Sequence, residues 1–178
     1  FVKAVEARDS YTQLHSTRVT ELSVALAQKT NCTSEEIDII NFAGMLHDIG
    51  KIGIRDDILL KPGRLTDEEF EKIKEHPEIG SRIIGHMGLW DREQELIRSH
   101  HERFDGTGYP DGLKGDEIPK LARILSVADA YDAMSSDRVY RQKMPMEKVL
   151  SILRECSGTQ FDPVYVEAFL VLPGEGGI

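Results

Sequence analysis

Within five consecutive residues, His47-Asp48-Ile49-Gly50-Lys51, this chain assembles side chains that hydrolysis of a phosphate ester requires. Neutral imidazole and ionised carboxylate together suit a mid-row divalent metal, and the two oxygens of Asp48 allow it to bridge two ions. Lys51 adds a positive charge and a proton. Phosphoester hydrolysis calls for an ionised water, charge neutralisation at phosphorus and an acid for the leaving oxygen. Further ligands must then come from elsewhere in the chain. Five of the six histidines, His15, His47, His76, His100 and His101, fall on inward helix faces or at helix ends, and Asp129 sits in an apolar stretch where it needs a cation or several donors to stay ionised. Each has an ordinary account when taken singly: His15 as a core histidine, His76 as a helix cap, His100-His101 as a pair that reaches one cluster only from the end of a helix. His86 looks incidental.

The elements that must position these residues have helical period almost throughout. Tyr11, Leu14, Val19, Leu22 and Leu26 recur at helical spacing between about Asp9 and Lys29, with His15 in register on the same face. Thr33-Ser34-Glu35-Glu36 is a capping box, and Ile37, Ile40, Gly44 and His47 follow along one face. That helix is expected to stop near Gly50 in a left-handed cap, leaving Lys51 on a loop. Thr66 opens another helix with the same capping pattern, and Pro77 predicts a break directly after His76. A helix from about Arg92 ends in His100-His101. The following segment, 102 to 112, holds three glycines and a proline, the composition of a structured loop that binds or covers a site. Pro119 begins a helix carrying Leu121, Leu125, Ala128 and Asp132 on one face with Asp129 beside it. After it, Arg138 and Arg141 stand three residues apart, a spacing that can clamp phosphates. Val149 to Leu153 and Phe161-Asp162-Pro163 mark two last helices, and the fold class is all-α.

Composition narrows the function. The 178 residues suit one domain, 40% of them hydrophobic and 30% charged, which places the chain among ordinary globular proteins. A net charge of −9 argues against a general duplex nucleic-acid binder but leaves a small phosphate ligand open, because bound ions invert the local potential. No apolar run is long enough for a membrane segment. Cys32 and Cys156 lack metal-site spacing, and the expected location is cytoplasmic.

In the order His, His-Asp, His, His-His, Asp, these residues resemble the HD-GYP domain, a bacterial branch of the HD metal-dependent phosphohydrolases. The resemblance covers nearly the whole chain: HDIGKIGI at 47 to 54, KPGRLTDEEF at 61 to 70, the His76-Pro77 step, HHERFDGTGYPDGL at 100 to 113, and the segment from Arg123 to Arg141. It implies an HD-type helical bundle with an irregular GYP loop, a single catalytic domain over residues 1–178 excised from a longer signalling protein. The implied activity is metal-dependent hydrolysis of a cyclic dinucleotide, cyclic di-GMP or 3',3'-cyclic GMP-AMP, to the linear dinucleotide and in some members to mononucleotide. Carried over by the resemblance, His15, His47, Asp48, His76, His100, His101 and Asp129 become metal ligands, with Asp48 the bridge. Lys51 becomes the residue at the scissile phosphate or leaving oxygen, and Arg138 and Arg141 hold the ligand. Gly108, Tyr109 and Pro110 order the substrate side. Iron or manganese is usual in the family, and the donor set also suits zinc.

Three-metal members place a glutamate where this chain has Tyr11, so two divalent ions are expected. Arg55, Ser135 and Val139 also depart from common family residues without removing a ligand. The competing functions are hydrolysis of another nucleotide by an HD-type enzyme and a non-catalytic cyclic-dinucleotide-binding module. The implied partners are the cyclic dinucleotide and an upstream sensor or receiver domain, and a homodimer is allowed for.

Overall fold

The structure, a computed structural model, describes residues 14–86, 91–137 and 142–172. Nine α-helices are present among them: α1 (His15–Lys29), α2 (Ser34–Leu46), α3 (Asp56–Leu59), α4 (Asp67–Ile73), α5 (His76–Gly85), α6 (Asp91–Ser99), α7 (Lys120–Ser135), α8 (Met146–Glu155) and α9 (Pro163–Val171). Two 3-10 turns, Ile49–Gly53 and Gly115–Glu117, complete the list, and the described residues contain no strand.

Several boundaries follow from local chemistry. The Thr33 and Thr66 hydroxyls accept the amides of Glu36 and Glu69, whose carboxylates reach back to the cap amides, so both expected capping boxes form. Asp162 caps α9 and Pro163 fills its first position, where a missing N–H costs nothing. The central element is α7. It packs against α1, α2, α6, α8 and α9, and buries Leu121, Ala122, Ile124, Leu125, Val127, Ala128 and Tyr131. A helix apolar on so much of its circumference belongs in the middle of a bundle. Val19, Leu26, Ile40, Leu96, Ile97, Leu153 and Phe169 close the core around it.

Two expectations about breaks are corrected. The break near Pro77 precedes His76: α4 ends at Ile73 and α5 starts at His76 itself, with Pro77 in its first turn. Proline lacks the N–H that a helix start leaves unpaired, so it begins the helix here. Similarly, α2 ends at Leu46, and Gly50 and Lys51 lie inside the 3-10 turn Ile49–Gly53; Gly50 is not among the glycines with positive φ. Its small size serves packing instead. A Cβ there would lie 1.8 Å from the His76 carbonyl oxygen and 2.5 Å from the Gly80 amide nitrogen, so only glycine lets the turn seat against α5.

Candidate metal centre

The close seat at Gly50 brings the end of α2 to the start of α5, and these two meet the ends of α1, α4 and α6 at one buried point beside α7. His15, His47, Asp48, His76 and His100 are each 7% exposed or less, a burial that histidine and aspartate sustain only with partners. Ligand atoms of His15, His47 and Asp48 lie within 4.8 Å of one another, and so do those of His76, His100 and His101. Asp48 stands between the two groups. Its Oδ2 is 3.6 Å from His47 Nε2, and its Oδ1 is 3.4 Å from His76 Nε2. Lys51 Nζ donates to Oδ2 at 2.7 Å. Asp129 Oδ1 approaches His15 Nε2 at 3.3 Å, which closes the group around His15.

The histidine tautomers are set by the ends of helices. Nδ1 of His47, His76 and His100 donates to the carbonyl three residues earlier, that of Gly44, Ile73 and Ile97 respectively, at 2.6 to 2.7 Å. Those carbonyls belong to the last turns of α2, α4 and α6, where the helix leaves acceptors unpaired. With the proton held on Nδ1, each Nε2 presents a lone pair to the shared centre, as a metal-ligating histidine does. His15 uses a carboxylate for the same purpose: Nδ1 lies 2.7 Å from Asp132 Oδ2. Asp132 is in turn held by Arg18 and by Ser136 Oγ at 3.1 Å. Imidazole and carboxylate ligands with fixed outer partners fit a divalent transition metal.

Electrostatics match that fit. Burial opposes ionisation of Asp48, but Lys51 and the surrounding histidines outweigh it and hold the carboxyl well below its ordinary range. Burial likewise works against the Asp129 carboxylate, and the hydrogen bond from His15 keeps it ionised. Burial and neighbouring imidazoles push His100 well down and His101 down to about 4, and burial lowers His76, so all three are neutral at pH 7 and ready to ligate. His15 is the exception. Burial lowers it, yet Asp129 and Asp132 together raise it to about 9 with the protein groups alone.

The loop after α6 backs this centre. Glu102, 3% exposed, accepts the backbone amides of Asp111, Gly112 and Leu113 at 2.7 to 3.1 Å. The Tyr109 amide donates to the His101 carbonyl, and the Tyr109 ring lies against the His101 ring with centroids 5.0 Å apart. At Gly108 a Cβ would come within 2.3 Å of the Arg103 amide nitrogen, so the loop closes tightly only with glycine there.

A family model described as the HD domain matches residues 3–164. The chain belongs to the HD-domain family. Relatives place this HD domain in the HD-GYP type. A cyclic di-GMP phosphodiesterase of Thermotoga maritima is 46% identical over 96% of the chain and 47% of its own length. A cyclic di-GMP phosphodiesterase of Vibrio cholerae is 42% identical over 94% of the chain and 37% of its own length. The chain thus spans less than half the length of these relatives. A crystal structure of a V. cholerae phosphodiesterase specific for cyclic GMP-AMP superposes with a TM-score of 0.78 at 18% identity, covering 98% of this chain and 47% of that one, which shows a shared fold.

All seven residues expected as ligands lie together in this HD domain, as does Lys51. Tyr109 is placed against His101, with Gly108 at the loop's closest approach. Tyr11, Arg138 and Arg141 lie outside the described residues. His86 is exposed and away from the cluster, as expected. Three contributors had no role assigned from the sequence: Asp132, Arg18 and Glu102. Asp132 carries a readable signal, since it follows Asp129 by three residues and so rises from nearly the same side of α7. No helix among the described residues is long and apolar enough to cross a membrane.

Proposed function

We propose that this HD domain is a metal-dependent phosphodiesterase that hydrolyses a cyclic dinucleotide, cyclic di-GMP first, to the linear dinucleotide. The observation that carries the reading is Asp48: its two oxygens face two separate groups of ligand atoms, and Lys51 contacts the same carboxylate. Two divalent ions are assigned, one to His15, His47, Asp48 and Asp129, the other to Asp48, His76, His100 and His101. Iron or manganese is the expected metal, with zinc compatible. Bound there, the ions supply charge neutralisation at phosphorus and a water ionised near neutral pH.

The chain's own residues do the rest. The Nδ1 hydrogen bonds keep the imidazoles in one orientation, and burial excludes bulk water from their inner side. Lys51, 17% exposed at the rim, is in position to neutralise a non-bridging phosphate oxygen and to give a proton to the leaving oxygen. Tyr109 holds His101 from behind. Arg138 and Arg141 are proposed to hold the second phosphate. The names of the relatives support the substrate class, and one of them, a 3'3'-cGAMP-specific phosphodiesterase of V. cholerae 37% identical over 92% of the chain, makes cyclic GMP-AMP the competing substrate. An upstream sensor or receiver domain and homodimerisation are proposed for the longer protein.

Chromatography of the products from cyclic di-GMP, cyclic GMP-AMP and a linear nucleotide, with metal content measured on the same sample, is the test. Asp48→Asn should abolish turnover and lose most metal, whereas Lys51→Ala should lower kcat more than it raises KM. Full turnover by the Asp48→Asn protein would overturn the proposal.

A further inference from the structure

The second group of ligand atoms, that of His76, His100 and His101, leans on a helix with little hold on the core. The Nδ1 proton of His76 is kept by the Ile73 carbonyl at the end of α4. Yet α4 fully buries none of its seven residues, and the helix it touches most, α3, buries none of its own. A segment with so few buried apolar contacts opens at low free-energy cost, so a discrete contact must keep its last turn against the centre.

Lys74 makes that contact. It directly follows α4, and its Nζ lies 5.1 Å from the centroid of the Phe70 ring and 5.7 Å from that of Tyr109. Both distances fall within the roughly 6 Å over which an aromatic face attracts a cation. The Tyr109 ring rests on His101 with centroids 5.0 Å apart, and the His101 ring meets that of His76 edge-on at 5.0 Å. Lys74 also donates to the Glu71 carboxylate at 2.5 Å, but Glu71 belongs to α4 and is 66% exposed, so that pair ties the helix to nothing else.

We propose that Lys74 is a positioning residue for the second metal ion; the inference rests on the two ions assigned above. One ammonium steadies two of its ligands, His76 through the neighbouring Ile73 carbonyl and His101 through Tyr109. The first ion draws its outer partners from elsewhere. His15 is held by Asp132 on α7 and His47 by the Gly44 carbonyl on α2, both helices seated in the core. Asp48, which the two ions share, is held by Lys51. Removing Lys74 therefore weakens one ion and spares the other.

The test is titration with manganese against a competing chelator, with amide exchange on the metal-free protein as a second readout. Lys74→Met keeps the stem and removes the charge, and it should weaken the second ion roughly tenfold, as loss of an outer partner does, while the first is unchanged. In a His15→Ala background, where only the second group is complete, the same loss should appear, which assigns the weakened ion. Lys74→Arg restores a cation that stacks on aromatic rings and should recover most of the affinity. Lys72→Met, on the same helix with its ammonium on the exposed Glu75, should change neither ion. Without metal, the Tyr109 amide that donates to the His101 carbonyl should exchange severalfold faster in Lys74→Met. Tyr109→Leu should weaken the second ion as well, and Lys74→Met added to it should weaken it by less than it does alone, because the two residues act through one contact. Should Lys74→Met fail to fold, Phe70→Leu takes its place, removing one ring from an exposed position with a severalfold loss confined to the second ion. Equal weakening of both ions, no weakening of either, or losses that simply add in the double variant would each overturn the role of Lys74. A protein that takes up no metal refutes the assignment of the ions and this role with it, whereas two ions bound alike with and without Lys74 refute this role alone.

Discussion

Gly50→Ala adds one methyl group, and the structure sets how much room it has. The new Cβ would sit 1.8 Å from the His76 carbonyl oxygen where real contacts stop at about 3.0 Å, so the turn and α5 must part by about 1.2 Å. The obstructing atoms belong to backbone and cannot rotate aside. Overpacking costs roughly 1–3 kcal/mol, and rigid partners put this case at the upper end, a fall in Tm of about 6–12 °C for a domain of this size. The larger effect is on the centre. His76 Nε2 is 3.4 Å from Asp48 Oδ1, and metal–ligand distances tolerate only about ±0.2 Å, so moving α5 by an ångström withdraws His76 from any ion that Asp48 holds. Metal retained after dialysis should fall to about one ion per chain, with turnover lost, as read by elemental analysis and thermal unfolding. Gly53→Ala is the control: its Cβ would meet side-chain and no backbone atoms, the Cδ1 and Cγ2 of Ile79 at 3.0 and 3.1 Å, so a small shift of that side chain admits it and its metal content should match the unaltered protein. A Gly50→Ala protein with full metal content and an unchanged Tm would refute the packing argument.

Three further predictions concern groups around the ligands. Glu102→Gln leaves one oxygen to serve Asp111 and Gly112 but turns an amide donor toward the Leu113 N–H, so the loop should lose about 1–3 kcal/mol; amide exchange at 111 to 113 that stays at its original rate would contradict this. Asp132→Asn removes the anion that orients His15, and metal affinity should drop by roughly 10–100-fold in a chelator competition, while an unchanged affinity would make Asp132 merely structural. His15, at about 9 without metal, must shed its proton to ligate through Nε2. Uptake at pH 7 should therefore release close to one proton from this residue, and apparent affinity should rise with pH until about 9 and then level off. Calorimetry in buffers of differing ionisation enthalpy measures the release, and no released proton at pH 7 would show that His15 is already neutral.

Much of this architecture is legible in the sequence because it rests on local rules. Helical period, two capping boxes and the prolines at 77, 119 and 163 mark most helices to within a few residues. The ligands were legible as residue types at inward positions, and the GYP segment as a structured loop. What stayed hidden depends on approach between distant segments. Gly50 looks like a helix cap until the backbone of α5 is seen against it. Asp132 looks like a buried anomaly until His15, 117 residues away, is placed beside it. Glu102 sits next to two ligands, yet its partners are backbone amides that no side-chain pattern announces.

The recurrent placement of histidine just after a helix also explains why this centre is made from helix ends. Each of α2, α4 and α6 ends with carbonyls that need donors, and a histidine three residues on from one of them supplies a donor while committing its other nitrogen to the centre. One hydrogen bond thus finishes the helix and prepares the ligand. The same ends carry partial negative charge, which adds to that of Asp48, Asp129 and Asp132. By itself, such a centre attracts cations and repels a phosphodiester, and the chain's net charge of −9 reinforces this. Lys51 is already paired with Asp48, so it cannot reverse the local sign alone. Divalent ions in the two ligand groups, as proposed above, would turn the point toward anions, and on that reading metal loading precedes substrate binding at this site.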